Sequence, residues 1–431
     1  MIMSGKVILF MPLRTIDNGL TKRKMLIFLY MVFPLFLSAQ QIAVPAIKFI
    51  DYYFENASPL NWETQDDTLI KICLLADYEK GTPNRQTDHW YFRLEAEKGT
   101  HVKLVISKLM ADIYNGRLAT RWWDFNHDIS CYISYDQKTW EAMSTSKLPG
   151  HELLVDFVMK SRSVYVARLP VYIQKDLELF EDRIGIHPNV KIIPIGNTVE
   201  NRSLEIIRVG DPGARFSILL RARAHPWEPG GNWVLEGLVD KFLENNVGNE
   251  TWKGQICYYI MPMANKDGVF RGMTRFNVKG KDLNRNWLDD IDPIDAPENY
   301  ALEQFLTELI REGHKPTLMV DFHNDDAGDL QASKPKVEDG GYMKKMQLFH
   351  SLLTEKTWFS NRLIPKVEFS GGGTIVDGMY YKFGIDAITF ELNANYIEQL
   401  NKIPETTDWE DLGAKLNEVF FQYLINQQQI K

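Results

Sequence analysis

The stretch Phe216 to Asn232, FSILLRARAHPWEPGGN, constrains the fold more than any other part of the chain. A β-rich run from Phe216 to Ala222 ends in a loop that holds His225 and Glu228 among Pro226, Pro229, Gly230 and Gly231. Val234, Leu235, Leu238, Val239 and Phe242 then recur at helical spacing, so a helix follows at once. A His and a Glu three apart, at the end of a strand and the start of a helix, can reach one small cation together. Taken alone, the pair reads more simply as two polar residues in an exposed turn.

The rest of the chain supplies the setting. Its 431 residues exceed one ordinary domain and suit two. With 45% apolar and 25% charged residues the composition is globular, and a net charge of −8 offers no electrostatic footprint for nucleic acid. Cys73, Cys131 and Cys257 are odd in number and lack paired spacing, which excludes a disulfide framework and a cysteine zinc site. Lys22, Arg23 and Lys24 precede the apolar run Met25 to Leu37, and Ser38-Ala39-Gln40 follows. That order predicts a signal peptide over residues 1–39, with translation starting at Met1 or at Met25. The run is shorter than the ~20 residues of a membrane span, and Pro34 interrupts it. The expected contact with a membrane is therefore only through this cleavable leader, and the expected location is periplasmic or extracellular.

Residues 40–175 have β texture. Strands are expected at Thr68 to Leu75, His89 to Leu94, His101 to Ile106, Ile129 to Ser134, Glu152 to Met159 and Ser163 to Leu169, which predicts an antiparallel sandwich. Trp122, Trp123, His127 and Trp140 are read as core rather than as a binding surface. Gln174 to Asp182 reads as a connector or short helix. Over residues 176–431 strands and helices alternate. The strands are Ser203 to Val209, Phe216 to Ala222, Ile256 to Met261, Pro316 to Phe322 and Ile388 to Leu392. Helices are expected from Pro297, over Tyr342 to Thr357 and over Glu410 to Leu424. The fold class is α/β: a mixed sheet covered by helices, preceded by the sandwich. In such sheets the loops at the strand ends carry the chemistry, and His225 and His323 both stand there.

Three further stretches join the first: Asn265 to Trp287 (NKDGVFRGMTRFNVKGKDLNRNW), Val320 to Asp325 (VDFHND) and Ile388 to Asn393 (ITFELN). Together the four resemble zinc carboxypeptidases of the carboxypeptidase A type. The similarity is nearest to the cytosolic-carboxypeptidase-like subfamily, which carries a β-sandwich ahead of the peptidase domain. Its signature HPxE, NxDGV and GxDLNRNW is met here in order. The peptidase resemblance spans roughly residues 180 to 425. HWYFRLEAEKGTHVKLVISKL and VYVARLPVY carry a weaker resemblance for the sandwich.

The resemblance implies one zinc ion held by His225, Glu228 and His323. Two neutral imidazoles and one carboxylate leave such an ion cationic, so it lowers the pKa of water. Asp282 would accept a hydrogen bond from the first His and fix its tautomer, or else is an ordinary turn residue. Glu391 matches the general base and acid, and a carboxylate in so apolar a strand needs a partner or a task. Arg275 matches the arginine that stabilises the oxyanion. Asn284 and Arg285 match the pair that holds the substrate's terminal carboxylate.

Departures from the family pattern bear on specificity. Trp227 occupies the position between the ligands where carboxypeptidase A-type enzymes often carry an Arg. The family's mobile tyrosine is absent before Ser370, leaving Tyr380 or Tyr381 as substitutes. Gly372 to Asp377, which would line the specificity pocket, carries no Arg or Lys, and Lys382 and Arg271 are the cations to test. The loop Asp325 to Gly341 is expected to border the cleft. The reading is a zinc metallocarboxypeptidase acting on peptide or protein C-termini. The alternatives are a related zinc amidase acting on cell-wall peptides or acylated amino acids, or an inert peptide-binding protein.

Overall fold

Two five-stranded sheets face one another between Ile47 and Ala167, because apolar side chains alternate along their strands. One sheet orders Ile47–Asp51, Tyr91–Ala96, Ser163–Ala167, Cys131–Ser134 and Glu141–Met143. The other orders Thr145–Leu148, Glu152–Val158, His101–Ser107, Leu69–Leu74 and Leu60–Thr64. Every pairing is antiparallel except that of Leu69–Leu74 with His101–Ser107. Ile70, Ile72, Leu94, Leu104, Val155 and Val166 fill the space between the sheets. A small third sheet (Asn84–Thr87, Met110–Tyr114, Arg117–Leu118) stands beside this sandwich.

This computed structural model describes residues 46–430, except 81–83, 115–116, 119–126, 245–251, 327, 334–339 and 365–372. The leader, Trp122, Trp123 and the Ser370 stretch lie outside the described residues. Trp140 packs its ring against Tyr91, 6.0 Å away, as a core residue would. His127 instead is partly exposed, stacks on Tyr396 at 4.0 Å and bonds Glu398 at 2.6 Å. Cys131 and Cys257 are buried and Cys73 is partly so, all three as free thiols. No helix among the described residues is long and apolar enough to cross a membrane.

An eight-stranded mixed sheet follows, in the order Val190–Asn197, Ser203–Val209, Ile256–Met261, Phe216–Ala222, Leu318–Asp325, Asp386–Asn393, Asp329–Ala332, Leu363–Ile364. The four central strands, from Ile256–Met261 to Asp386–Asn393, are mutually parallel, so their carboxyl ends share one edge. Helices Gly230–Leu243 and Thr406–Asn426 pack on the sheet, and Leu235, Leu238, Leu416, Val419 and Phe420 join the strand residues in a single core. Helix Pro297–Arg311 starts with Pro at its first turn and contributes to a separate core cluster with Leu302, Leu306 and Leu309. Of the connector or short helix expected at Gln174, the helix is present, Gln174–Gly185, because Leu177, Phe180 and Ile184 bury one face of it.

Besides the two-residue strand Leu363–Ile364, two strands of this sheet have no clear sequence signal. Val190–Asn197 is an edge strand with Pro194 at a bulge, and its residues after Val190 are exposed or half-exposed, so neither alternation nor a buried run appears. Asp329–Ala332 lies within the stretch read as a loop. It is a strand because it pairs antiparallel with Asp386–Asn393, placing Asp329 opposite Glu391.

Candidate active site

The site is built at the shared carboxyl edge of the central strands. Phe216–Ala222 ends and Arg223 turns with φ +60°, which sends His225 and Glu228 back over the sheet. Gly230, the first residue of the next helix, donates its N–H to Asn324 Oδ1 at 2.8 Å. A Cβ there would stand 2.7 Å from the Asn324 amide, so glycine is required for the helix to start this close. Asn265 caps its own short helix (Lys266–Phe270) and holds the His225 loop through Arg223 O (3.0 Å) and Ala224 O (3.3 Å). Gly268 leaves room for Pro226, whose Cγ would lie 2.5 Å from a Cβ. The Asn265-Lys-Asp-Gly-Val motif is therefore scaffolding for the loop.

His323, in the neighbouring parallel strand, completes the cluster. His225 Nδ1 lies 2.8 Å from Glu228 Oε1, His323 Nδ1 lies 2.8 Å from Glu228 Oε2, and the two Nδ1 atoms are 3.1 Å apart. All three side chains are buried, and their ligand atoms fall within 4.8 Å of one another. The opposite ring nitrogens face carboxylates: His225 Nε2 is 3.1 Å from Asp282 Oδ1 and His323 Nε2 is 2.7 Å from Asp321 Oδ2. Each carboxylate fixes the proton on Nε2, so both Nδ1 lone pairs point to the centre. Two imidazole nitrogens aimed at each other and at one carboxylate form a donor set that suits zinc.

The electrostatics follow from the same contacts. Burial would raise the Glu228 carboxyl, but His225 and His323 bring it down to about 2. Burial would likewise raise Asp321, yet the Arg221 guanidinium and His323 lower it to about 2. Arg221 holds Asp321 by two bonds of 2.8 and 2.9 Å, and both are fully buried. Burial works against charge on His323, but Asp321 and Glu228 outweigh it and hold the imidazole well above its ordinary value. Asp282 is held well below the usual carboxylate range by Arg275, Arg285 and His225, against the effect of burial.

The other residues singled out in the sequence converge here. Glu391 is the register partner of His323 on Asp386–Asn393, so its side chain shares the face of the sheet that carries the cluster. Its carboxyl is pushed well above the usual range by burial, with Asp325, Glu228 and Asp329 adding to the rise and His323 opposing it. Arg275 binds Asp282 Oδ2 through Nε at 2.9 Å and through a terminal nitrogen at 2.8 Å. Asn284 accepts the Ile375 N–H at 3.0 Å, which turns its amide nitrogen toward His323 Nε2 at 3.3 Å. Arg285 is buried and donates to Asn284 O at 2.8 Å.

The zinc carboxypeptidase family model matches residues 179–326, a span that contains His225, Glu228 and His323. The chain carries a zinc carboxypeptidase domain. Over 132 residues it is 31% identical to cytosolic carboxypeptidase 6 of Caenorhabditis elegans, covering 29% of this chain and 28% of that protein. An uncharacterized protein of Zymomonas mobilis is 26% identical over 201 residues, 46% of this chain and 50% of the other. The match thus spans half or less of these curated relatives. The fold extends further than the carboxypeptidase domain. A metallo-carboxypeptidase of Burkholderia cenocepacia superposes with a TM-score of 0.76 at 20% identity, over 88% of this chain and 99% of that one. A metallo-carboxypeptidase of Pseudomonas aeruginosa, solved with (2-guanidinoethylmercapto)succinic acid, gives 0.73 at 19% identity over 89% and 100%.

Some parts of the site lay outside the sequence reading. Asp321 and Arg221 were legible only as members of apolar strands. The spacing Asp-x-His was a usable signal, since residues two apart on a strand share a face. The cations considered for specificity are engaged in ion pairs at the carboxypeptidase domain's surface: Lys382 with Glu303 at 3.0 Å, and Arg271 with Glu200. Tyr380 and Tyr381 pack on one another, and Tyr380 packs 4.6 Å from Tyr342. The Tyr342 hydroxyl is anchored to Ala387 O, four residues before Glu391 and so roughly 13 Å along the strand.

Proposed function

We propose that the chain is an exported zinc metallocarboxypeptidase that hydrolyses the last peptide bond of peptides or proteins. One observation carries this reading: His225, Glu228 and His323 converge on one point with Glu391 beside His323. His225 Nδ1, His323 Nδ1 and the Glu228 carboxylate would hold one zinc ion. When bound, the ion supplies a Lewis acid for the scissile carbonyl and lowers the pKa of water.

The chain's own residues do the rest. Asn284 and Arg285 bind the substrate's terminal carboxylate, with the guanidinium offering a planar fork to two oxygens. Arg275, held against Asp282, presents positive charge to the oxygen of the scissile carbonyl as it becomes anionic. The Glu391 carboxylate takes the proton of the attacking water and then passes it to the leaving amine. Asp282 and Asp321 keep both histidines in the tautomer that binds the ion. The succinic acid ligand of the Pseudomonas relative accords with a site for carboxylates. Export rests on the basic cluster, apolar run and Ser-Ala-Gln order of residues 22–40.

The test is mass spectrometry of a mixed peptide library incubated with the zinc-loaded mature chain, each peptide present as free acid and as amide. Loss of single C-terminal residues from the free acids alone is the expected result. Trimming of the amides would overturn the carboxylate role of Arg285. No trimming with zinc bound would favour the amidase, and no zinc at all an inert binding protein. The N-terminal peptide of the mature chain tests export, with cleavage expected after Ala39.

A further inference from the structure

Three of the residues that would act on the substrate, Arg275, Asn284 and Arg285, sit together with Asp282 on an irregular segment between helices Lys266–Phe270 and Pro297–Arg311. With no regular secondary structure of its own, such a segment needs outside contacts to hold one conformation. Part of that support comes from its own domain, where Asn299 donates to Leu283 O at 3.0 Å, and part comes from the N-terminal β domain. Asn56 donates through its backbone N–H to Phe270 O at 3.0 Å and through its side chain to Val269 O at 2.8 Å. Lys80 N–H donates to Gly280 O at 2.8 Å.

Between these two anchors, and just past the second, the contacts fall on the site residues themselves. The buried carboxylate of Asp77 accepts three consecutive backbone N–H groups: Thr274 at 3.0 Å, Arg275 at 2.6 Å and Phe276 at 3.1 Å. The carbonyl of Thr274 in turn accepts the N–H of Trp227, between two of the proposed zinc ligands, at 3.3 Å. Asn84, also buried, donates at 2.8 Å to Asp282 Oδ2, the oxygen that Arg275 binds, while Oδ1 of the same carboxylate faces His225. Asn84 Oδ1 is buried with no protein partner among the described residues.

We propose that Asp77 and Asn84 are positioning residues which the N-terminal β domain contributes to the active site, a role that rests on the carboxypeptidase reading above. Asp77 sets the backbone from which Arg275 reaches the oxyanion, by gathering three donors that no helix or strand satisfies. Asn84 orients Asp282, and through it both the His225 ring and the Arg275 guanidinium. The β domain is thereby part of the catalytic unit and more than a folding support.

The experiment uses the full chain loaded with zinc and its Asp77→Ala and Asn84→Ala variants, each made also in an Arg275→Ala background. Asp77→Ala is expected to lower kcat/KM about 10- to 100-fold, mainly in kcat, since a small misplacement of an oxyanion donor costs that much. In the Arg275→Ala background the same change should cost less than about twofold, because a residue that acts through Arg275 has nothing left to position. Asn84→Ala is expected to weaken zinc about 10-fold in a chelator competition, as for other partners that orient a ligand histidine. Equal losses in both backgrounds, together with unchanged zinc affinity, would overturn the proposal and leave these contacts as domain packing. Should Asp77→Ala fail to fold, Asp77→Asn, which keeps one acceptor oxygen, carries the same cycle. If the wild-type chain trims no peptide, the carboxypeptidase reading falls while the zinc competition still decides the role of Asn84.

Discussion

The guanidinium of Arg168, a residue of the N-terminal β domain, lies over the indole of Trp227, 5.5 Å from the ring centroid. It therefore touches the turn between His225 and Glu228. The same group reaches Asp326, just past the His323 strand, at 3.1 Å and Asn395, just past the Glu391 strand, at 2.9 Å. Asp88 lies 3.4 Å away, and burial pushes its carboxyl up to about 7 despite Arg168.

Arg168→Met removes the charge but keeps the bulk of the side chain. Asp88 and Asp326 would then be buried without their cation, which costs about 3–5 kcal/mol when one partner of such a group is lost. Chemical denaturation of the full chain measures it. A loss under about 1 kcal/mol would mean that water already shares the site.

Glu391→Gln keeps size and polarity but cannot take a proton. Zinc content should be unchanged, while kcat falls about 100- to 10,000-fold, the range for loss of a general base. Metal analysis beside steady-state kinetics separates the two quantities. Near-normal turnover would remove Glu391 from the proton transfers.

Asp321→Asn weakens the acceptor that holds the His323 Nε2 proton and leaves Arg221 without its buried counter-charge. Zinc affinity should fall about 10- to 100-fold. Unchanged affinity by chelator competition would assign Asp321 to the core alone.

Glu298 gives a pH test away from the His225, Glu228 and His323 cluster. Burial raises its carboxyl from 4.5 to about 7, against hydrogen bonds from its own N–H and from Asn277. A raised group contributes stability that is full below the unfolded value and is lost as pH rises through the folded one. Between pH 4.5 and pH 7 the loss is on the order of 3 kcal/mol. Glu298→Gln should therefore flatten the fall in stability across that window, measured by denaturation at pH 5 and pH 8. An unaltered pH profile would show that Glu298 ionises as freely in the folded chain as in the unfolded one.

The sequence by itself determined the central strands and helices that position the His225, Glu228 and His323 cluster. Alternation, helical spacing and Pro/Gly loops are local properties, so Phe216–Ala222, Ile256–Met261 and helix Pro297–Arg311 were legible residue by residue. His225, Glu228, His323 and Glu391 stood out through the resemblance of four short motifs to zinc carboxypeptidases, since the His225 and Glu228 pair alone reads as an exposed turn. What only the tertiary structure decided was the support around them. Val190–Asn197 and Asp329–Ala332 are strands because neighbours in the sheet pair with them. Asp321, Asp77, Asn84 and Arg168 meet the site across many intervening residues. Their hydrogen bonds and buried charges depend on which surfaces pack together, and no local pattern encodes that.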